Sequence, residues 1–151
     1  MQEEIKVSVI RIAQKLFAIE IKYIREILPL PKITRVPNVD VQFYGVFNLR
    51  GKIIPLIDIA PVLGLPRQQT KAGTFVVVCE VNGKVSGLLA EKVLDMRVLE
   101  SELMQVPDND VDENILPFIS AVYKKAKKEP IYVLDMISVF ESEELNKYRF
   151  A

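Results

Sequence analysis

Gly45-Val-Phe-Asn-Leu-Arg-Gly-Lys-Ile-Ile-Pro-Leu-Ile-Asp-Ile59 sets an apolar run, Gly45 to Leu49, against a β-branched run, Lys52 to Ile59, with turn chemistry at Asn48 to Gly51 between them. Two extended runs around a glycine turn predict a hairpin with a charged tip at Arg50. Pro55 has no amide donor, so its strand is expected at an edge or bulged at that point. An edge can recruit a partner. Taken alone, Arg50 is an ordinary solvated turn residue, because loops lie at the surface.

Outward from this hairpin, both directions read as more strands. Lys6 to Ile12 and Leu16 to Ile21 alternate and are joined by a short turn at Ala13 to Lys15. Tyr23 to Leu28 suits either a helical turn or a strand before Pro29 and Pro31. Ile59 to Leu63 reads as a short helix stopped by Gly64, followed by a polar connector from Arg67 to Gly73. Phe75 to Val81 and Lys84 to Ala90 flank Asn82-Gly83, the pair best suited to a type I′ turn. Ser101 and Glu102 open a brief helical turn; Ile115 to Tyr123 and Ile131 to Leu134 predict two further strands around the basic turn Lys124 to Lys128. The spacing of Ile137, Phe140, Leu145 and Tyr148 predicts a terminal amphipathic helix over Met136 to Tyr148.

The chain repeats itself. Leu56-Ile-Asp-Ile59 recurs as Val133-Leu-Asp-Met136, and Ala18-Ile19 through Ile27 is matched by Gly87-Leu88 through Met96. Two small β barrels packed face to face would bury strands that are apolar on both sides. The expected fold is therefore mainly β: two β subdomains, roughly 14–70 and 75–135, within a single domain spanning 1–151, with short helices and a C-terminal helix. The terminal segments complete the packing.

Composition narrows the function classes. Twenty basic and twenty acidic residues give zero formal charge, so no global field favours nucleic acid or an anionic membrane. The N-terminus is polar and acidic where a signal peptide needs a basic start and an apolar run, and apolar runs elsewhere stop short of the ~20 residues of a membrane helix; a cytoplasmic protein without membrane insertion is expected. Histidine is absent, which removes the commonest general base and metal ligand. Cys79, the single cysteine, lies in an apolar run and reads as core packing. Asp108 to Glu113 lacks the glycine and glutamate spacing of a calcium loop. Asp58 and Asp135 each follow an apolar strand and precede a short helix, the position of a capping residue. Neither a catalytic residue, a metal nor a cofactor is expected. A small nucleic-acid-binding barrel is the competing class, weakened by the neutral charge and the absence of tryptophan.

Phe17-Ala-Ile-Glu-Ile21, Ile24-Arg-Glu-Ile27, Ile33-Thr-Arg-Val-Pro37, Gly45 to Gly51, Ile54-Pro-Leu-Ile-Asp58 and Gly87-Leu-Leu89 together resemble the CheW family of bacterial chemotaxis coupling proteins over nearly the full length. The Asn-Leu-Arg-Gly element with its flanking Gly45 and Pro55 is the specific part. Ala121 and the stretch Lys124 to Pro130 depart from the family pattern in the last hairpin. The resemblance implies two SH3-like five-stranded barrels around a shared hydrophobic interface, and a free-standing coupler rather than the related domain of a kinase. It further implies an adaptor joining the cytoplasmic tip of a chemoreceptor to the regulatory domain of the histidine kinase CheA, recruited to membrane-associated receptor arrays. A non-flagellar chemosensory pathway is an alternative setting. By matching position, the implied receptor-binding residues are Ile24, Glu26, Ile27, Gly45, Arg50 and Met96, and the implied kinase-binding residues are Lys52 and Ile53. From alternation alone, Ile53 reads equally as barrel core, and Ile24, Ile27 and Met96 as core or groove.

Overall fold

A computed structural model describes residues 4–146. Hairpins dominate it because local turn chemistry is strong. β1 (Ile5–Ile12) returns as β2 (Lys15–Glu20) through Ala13 and Gln14, both at positive φ. β3 (Ile24–Pro29) takes the strand reading of Tyr23 to Leu28, and one 3-10 turn at Ile21–Tyr23 precedes it. β4 (Phe43–Leu49) and β5 (Lys52–Ile57) form the opening hairpin. β6 (Phe75–Val81) and β7 (Lys84–Ala90) meet at Asn82-Gly83, whose φ values of 51° and 83° are those a type I′ turn requires. β8 (Lys92–Leu99), the two-residue β9 (Met104–Gln105), β10 (Ile119–Tyr123) and β11 (Ile131–Leu134) complete the strands.

The strands build two sheets, in the orders β8-β1-β2-β11-β10-β9 and β3-β6-β7-β5-β4. The repeat seen in the sequence reappears as matching pairs: β11 runs parallel to β2 with Val133 opposite Ala18, and β5 runs parallel to β7 with Leu56 opposite Gly87. Strand order crosses the expected division between residues 70 and 75. The hairpin β6–β7 joins β3, β4 and β5, whereas β1–β2 joins strands from residues 92–134. Each half thus lends its first hairpin to the other. Hairpin turns are fixed by neighbours in sequence, but which sheet a hairpin joins is decided by faces of matching apolar width far along the chain.

Apolar layering explains the doubly buried strands. Along β1, Val7 and Val9 enter one cluster with Leu16, Ala18 and Val133, while Ile10 and Ile12 enter the large central cluster. Along β6, Val76 and Val78 enter a third cluster with Phe47 and Leu56, while Val77 and Cys79 enter the central one. The central cluster therefore lies between the sheets, and each sheet has its own apolar layer behind it. Fully burying each Val, Leu or Ile is worth about 1.5–3 kcal/mol.

Several segments differ from expectation. Residues 60–64 make turns rather than a helix, with Leu63 and Gly64 amides donating to Ala60 and Pro61 carbonyls, because Gly64 at φ +73° ends the segment after one turn. The strand expected from Ile115 begins only at Ile119, after a 3-10 turn over Leu116–Phe118 that carries Pro117. The terminal helix is broken: α1 (Met136–Glu141) and α2 (Glu143–Asn146) are separated by Ser142, in extended conformation. Tyr148 lies outside the described residues.

The two aspartates of the repeat have diverged. Asp135 caps α1 by accepting the Ser138 amide at 3.1 Å. Asp58 is fully buried and accepts the Ala60 amide, the Gln68 amide and Gln68 Nε2 at 3.0, 2.7 and 2.8 Å. It staples the connector to the end of β5, and burial raises its pKa against the opposing effect of those bonds.

Candidate functional site

Turn geometry places Arg50. It sits at φ 50° with Gly51 at 85°, in a turn closed by the Gly51 amide donating to Asn48 Oδ1 at 2.9 Å. Arginine is a poor residue for left-handed backbone, which glycine and asparagine enter far more readily. Its side chain reaches β3, where Arg50 Nη1 and Nη2 donate to Glu26 Oε1 and Oε2 at 2.7 and 3.0 Å. This two-pronged fork joins the tip of β4–β5 to β3, the strand at the opposite edge of the same sheet, so the sheet curls to bring its edges together. Hydrogen bonding from Arg50 holds the Glu26 carboxyl below its usual range, and the same bonds raise the Arg50 pKa. The arginine side chain is 72% exposed and the glutamate half-buried, so the pair is available to a competing ligand from the arginine side.

Beside the fork opens a groove of about 1230 Å³ whose walls include Glu26, Arg50, Lys52 and Ile53. Its origin is the short parallel pairing: β5 meets β7 only at Leu56 and Ile57, so Lys52 to Pro55 and Lys84 to Ser86 diverge and the gap between them is unfilled. Pro55, with no amide to offer, is the last residue before that pairing begins, which meets the expectation of an edge for half of its strand. Ile53 is 51% exposed while Ile54 is buried. The exposure of Ile53 settles the alternation: Ile54 and Leu56 fill the layer inside the curled sheet, and Ile53 faces outward.

Four of the expected residues, Glu26, Arg50, Lys52 and Ile53, thus share one groove. The others lie elsewhere. A bulge after Ile24 in the β3–β6 register puts Ile24 opposite Cys79 and Ile27 opposite Val77, so both half-buried isoleucines pack against the central cluster while Glu26, opposite Val78, faces the other way. Met96 is on β8, an edge strand of the six-stranded sheet, opposite Ser8 on the face that carries Ile10 inward. It is 62% exposed, and Leu94 and Val98 on the same strand are exposed too. Gly45 is buried; a Cβ there would stand 2.6 Å from both Ile33 Cγ2 and the Thr34 carbonyl oxygen. Its absence of side chain lets residues 33–34 cross β4, where Thr34 and Val46 exchange backbone hydrogen bonds at 2.8 and 2.9 Å.

Sequence reasoning missed four contributors to the groove. Arg25, paired with Glu80, and Lys84, donating to Asn146 Oδ1 at 3.0 Å, supply cationic rim; Phe140 and Leu145 supply an apolar wall. The helical residues lie some ninety positions beyond the hairpin, and no local pattern links them. Among the described residues no group of three or more acidic, cysteine or histidine side chains is placed to hold a metal, and no helix is long and apolar enough to cross a membrane.

A profile of the CheW-like domain matches residues 6–144. Curated relatives include the probable chemotaxis protein CheW of Rhizobium etli, 28% identical over 134 residues, covering 89% of this chain and 86% of the relative. The chemotaxis protein CheW of Bacillus subtilis is 28% identical over 142 residues, covering 91% and 88%. Among solved structures, the crystal structure of scaffolding protein TtCheW from Thermoanaerobacter tengcongensis superposes with a TM-score of 0.81 at 23% identity, covering 94% of this chain and 96% of that one. Profile, relatives and fold agree, and the chain belongs to the CheW-like domain family.

Proposed function

We propose that this chain is a non-catalytic coupling scaffold of a bacterial chemosensory pathway, holding a chemoreceptor tip and the regulatory domain of CheA at once. The observation that carries the reading is the groove, where an exposed Arg50–Glu26 fork stands beside an exposed Ile53. A scaffold needs patches that are folded, exposed and chemically distinct. A planar donor fork and an outward apolar anchor meet that need.

In this reading the receptor tip, a helical hairpin, engages Arg50 and Glu26 together with the apolar edges at Ile24, Ile27 and Met96, in the manner of a helix laid against an apolar face. Gly45 contributes by keeping residues 33–34 tight on β4. The kinase engages Lys52 and Ile53. Because the two sets adjoin, occupancy of one is poised to change the other, and the Arg50–Glu26 pair is the contact a receptor must compete with or rearrange. The chain works at the cytoplasmic face of receptor arrays.

Separate substitutions test this. Arg50→Asn should weaken binding of a receptor-tip fragment and spare CheA; Ile53→Glu should do the reverse. Loss of both partners in a variant that still folds, or of neither, contradicts the assignment of roles.

A further inference from the structure

We propose that the pocket beside Tyr44 is an oxyanion site that takes a phosphate group. Two guanidiniums rest against this one ring, Arg35 with Cζ 4.6 Å and Arg67 with Cζ 4.8 Å from its centroid. Tyr44 is buried, so the ring is a fixed platform. Stacking orients a guanidinium plane while leaving its in-plane N–H donors free. Arg35 spends one donor on the Tyr44 hydroxyl at 3.5 Å, and among the described residues neither arginine forms an ion pair.

Asp58 does not form an ion pair with them. Arg67 acts electrostatically on Asp58, but both Asp58 oxygens are already engaged by Ala60 and Gln68. Two solvent-exposed cations against one ring concentrate positive charge at this surface. A bound anion offsets that charge.

The surroundings are rich in donors. Tyr44 donates its hydroxyl proton to Thr70 Oγ1 at 3.2 Å, which leaves the Thr70 hydroxyl free to donate. A pocket of about 280 Å³ opens here, lined by Tyr44, Arg67, Gln68, Gln69 and Thr70 with no carboxylate among them. The amides of Gln69 and Thr70 have no acceptor among the described residues. A phosphate presents three strong acceptor oxygens and up to two charges to the Arg67 fork, the Thr70 hydroxyl and the two amides, with Arg35 adding positive charge from beside the ring. The site is distinct from the Arg50–Glu26 groove, and its failure would leave the coupling role untouched.

The test is an amide chemical-shift titration of the intact protein with inorganic phosphate, and separately with adenosine monophosphate, at ionic strength held constant with chloride. Saturable shifts of Gln69 and Thr70 are expected. Affinity should fall at least about tenfold in Arg67→Gln, by a smaller factor in Arg35→Gln, and stay unchanged in Arg97→Gln, whose guanidinium is held by Asp95. Should Arg67→Gln fail to fold, Arg67→Lys keeps the charge, removes the fork and must still weaken binding. Tighter binding of the monophosphate identifies an organic phosphate ester as the source, and tighter binding of the inorganic ion identifies free phosphate; both support the site. Shifts that never saturate, or equal affinity in the arginine variants and the wild type, overturn it.

Discussion

Gly45→Ala should destabilise the protein by about 2–4 kcal/mol, the sum of a steric and a hydrogen-bonding effect. The added methyl carbon would stand 2.6 Å from the Ile33 methyl and from the Thr34 carbonyl oxygen. One of these is backbone, so a rotamer change cannot clear it. Residues 33–34 must retreat by several tenths of an ångström to reach ordinary contact, which stretches the two Thr34–Val46 bonds of 2.8 and 2.9 Å. Each such bond is worth ~1 kcal/mol net, and overpacking a filled site costs ~1–3 kcal/mol when the strain is shared. With a urea slope of ~1–3 kcal/mol/M for a domain of this size, the unfolding midpoint should drop by roughly 1–2 M. Receptor affinity, measured where the variant is fully folded, should fall only as far as displacement of residues 33–34 disturbs the neighbouring surface. An unchanged urea midpoint would refute the close-approach argument. Lost receptor binding at unchanged stability would instead make Gly45 a contact residue.

Arg50→Asn separates fold from function: asparagine suits the left-handed turn better than arginine, so thermal stability should hold or rise while receptor affinity drops, and a fall in melting temperature would count against the turn argument. The Glu26 carboxyl has a folded pKa below its unfolded value of 4.5; its contribution is present above that value and lost as pH falls through the depressed one, so its carboxyl carbon resonance should titrate below 4.5, and the shift should vanish in Arg50→Asn. Leu88→Ala, in the central cluster, should cost about 2–5 kcal/mol by urea denaturation, against a much smaller change for truncating exposed Val106. Cys79, buried with its thiol pKa pushed up to about 12, should resist a thiol-directed reagent until the protein unfolds; modification at the rate of a free thiol in native buffer would contradict its place in the core.

What could be read from the residues was local. The hairpin β6–β7 falls at its expected bounds because Asn82-Gly83 dictates the turn and its flanking runs have no competing pattern. The pairing of β5 with β7, and of β11 with β2, was hidden, since parallel neighbours are chosen by complementary faces and not by adjacent sequence. The same limit governs the site. Arg50 with Glu26 was legible as chemistry, a planar fork and a carboxylate, and the sheet's curl brings them within bonding distance. Ile53 was ambiguous because alternation gives a period and not a phase; the identity of the inward face depends on which residues the curled sheet encloses. Val93 to Leu99 mixes apolar and charged positions in the sequence, and Leu94 and Val98 are exposed on β8, which has no neighbour beyond it among the described residues. The Arg35–Tyr44–Arg67 stack joins three positions from two loops and a strand, and nothing in their spacing announces it.

Simultaneous occupancy is the most direct test of the coupling role. Purified protein, a soluble receptor-tip fragment and CheA should be mixed and sedimented, with kinase autophosphorylation followed in the same mixture. The account predicts one complex containing all three, formed only when this protein is present, with kinase activity that responds to the receptor fragment. Displacement of one partner by the other, or binding of neither, would contradict it.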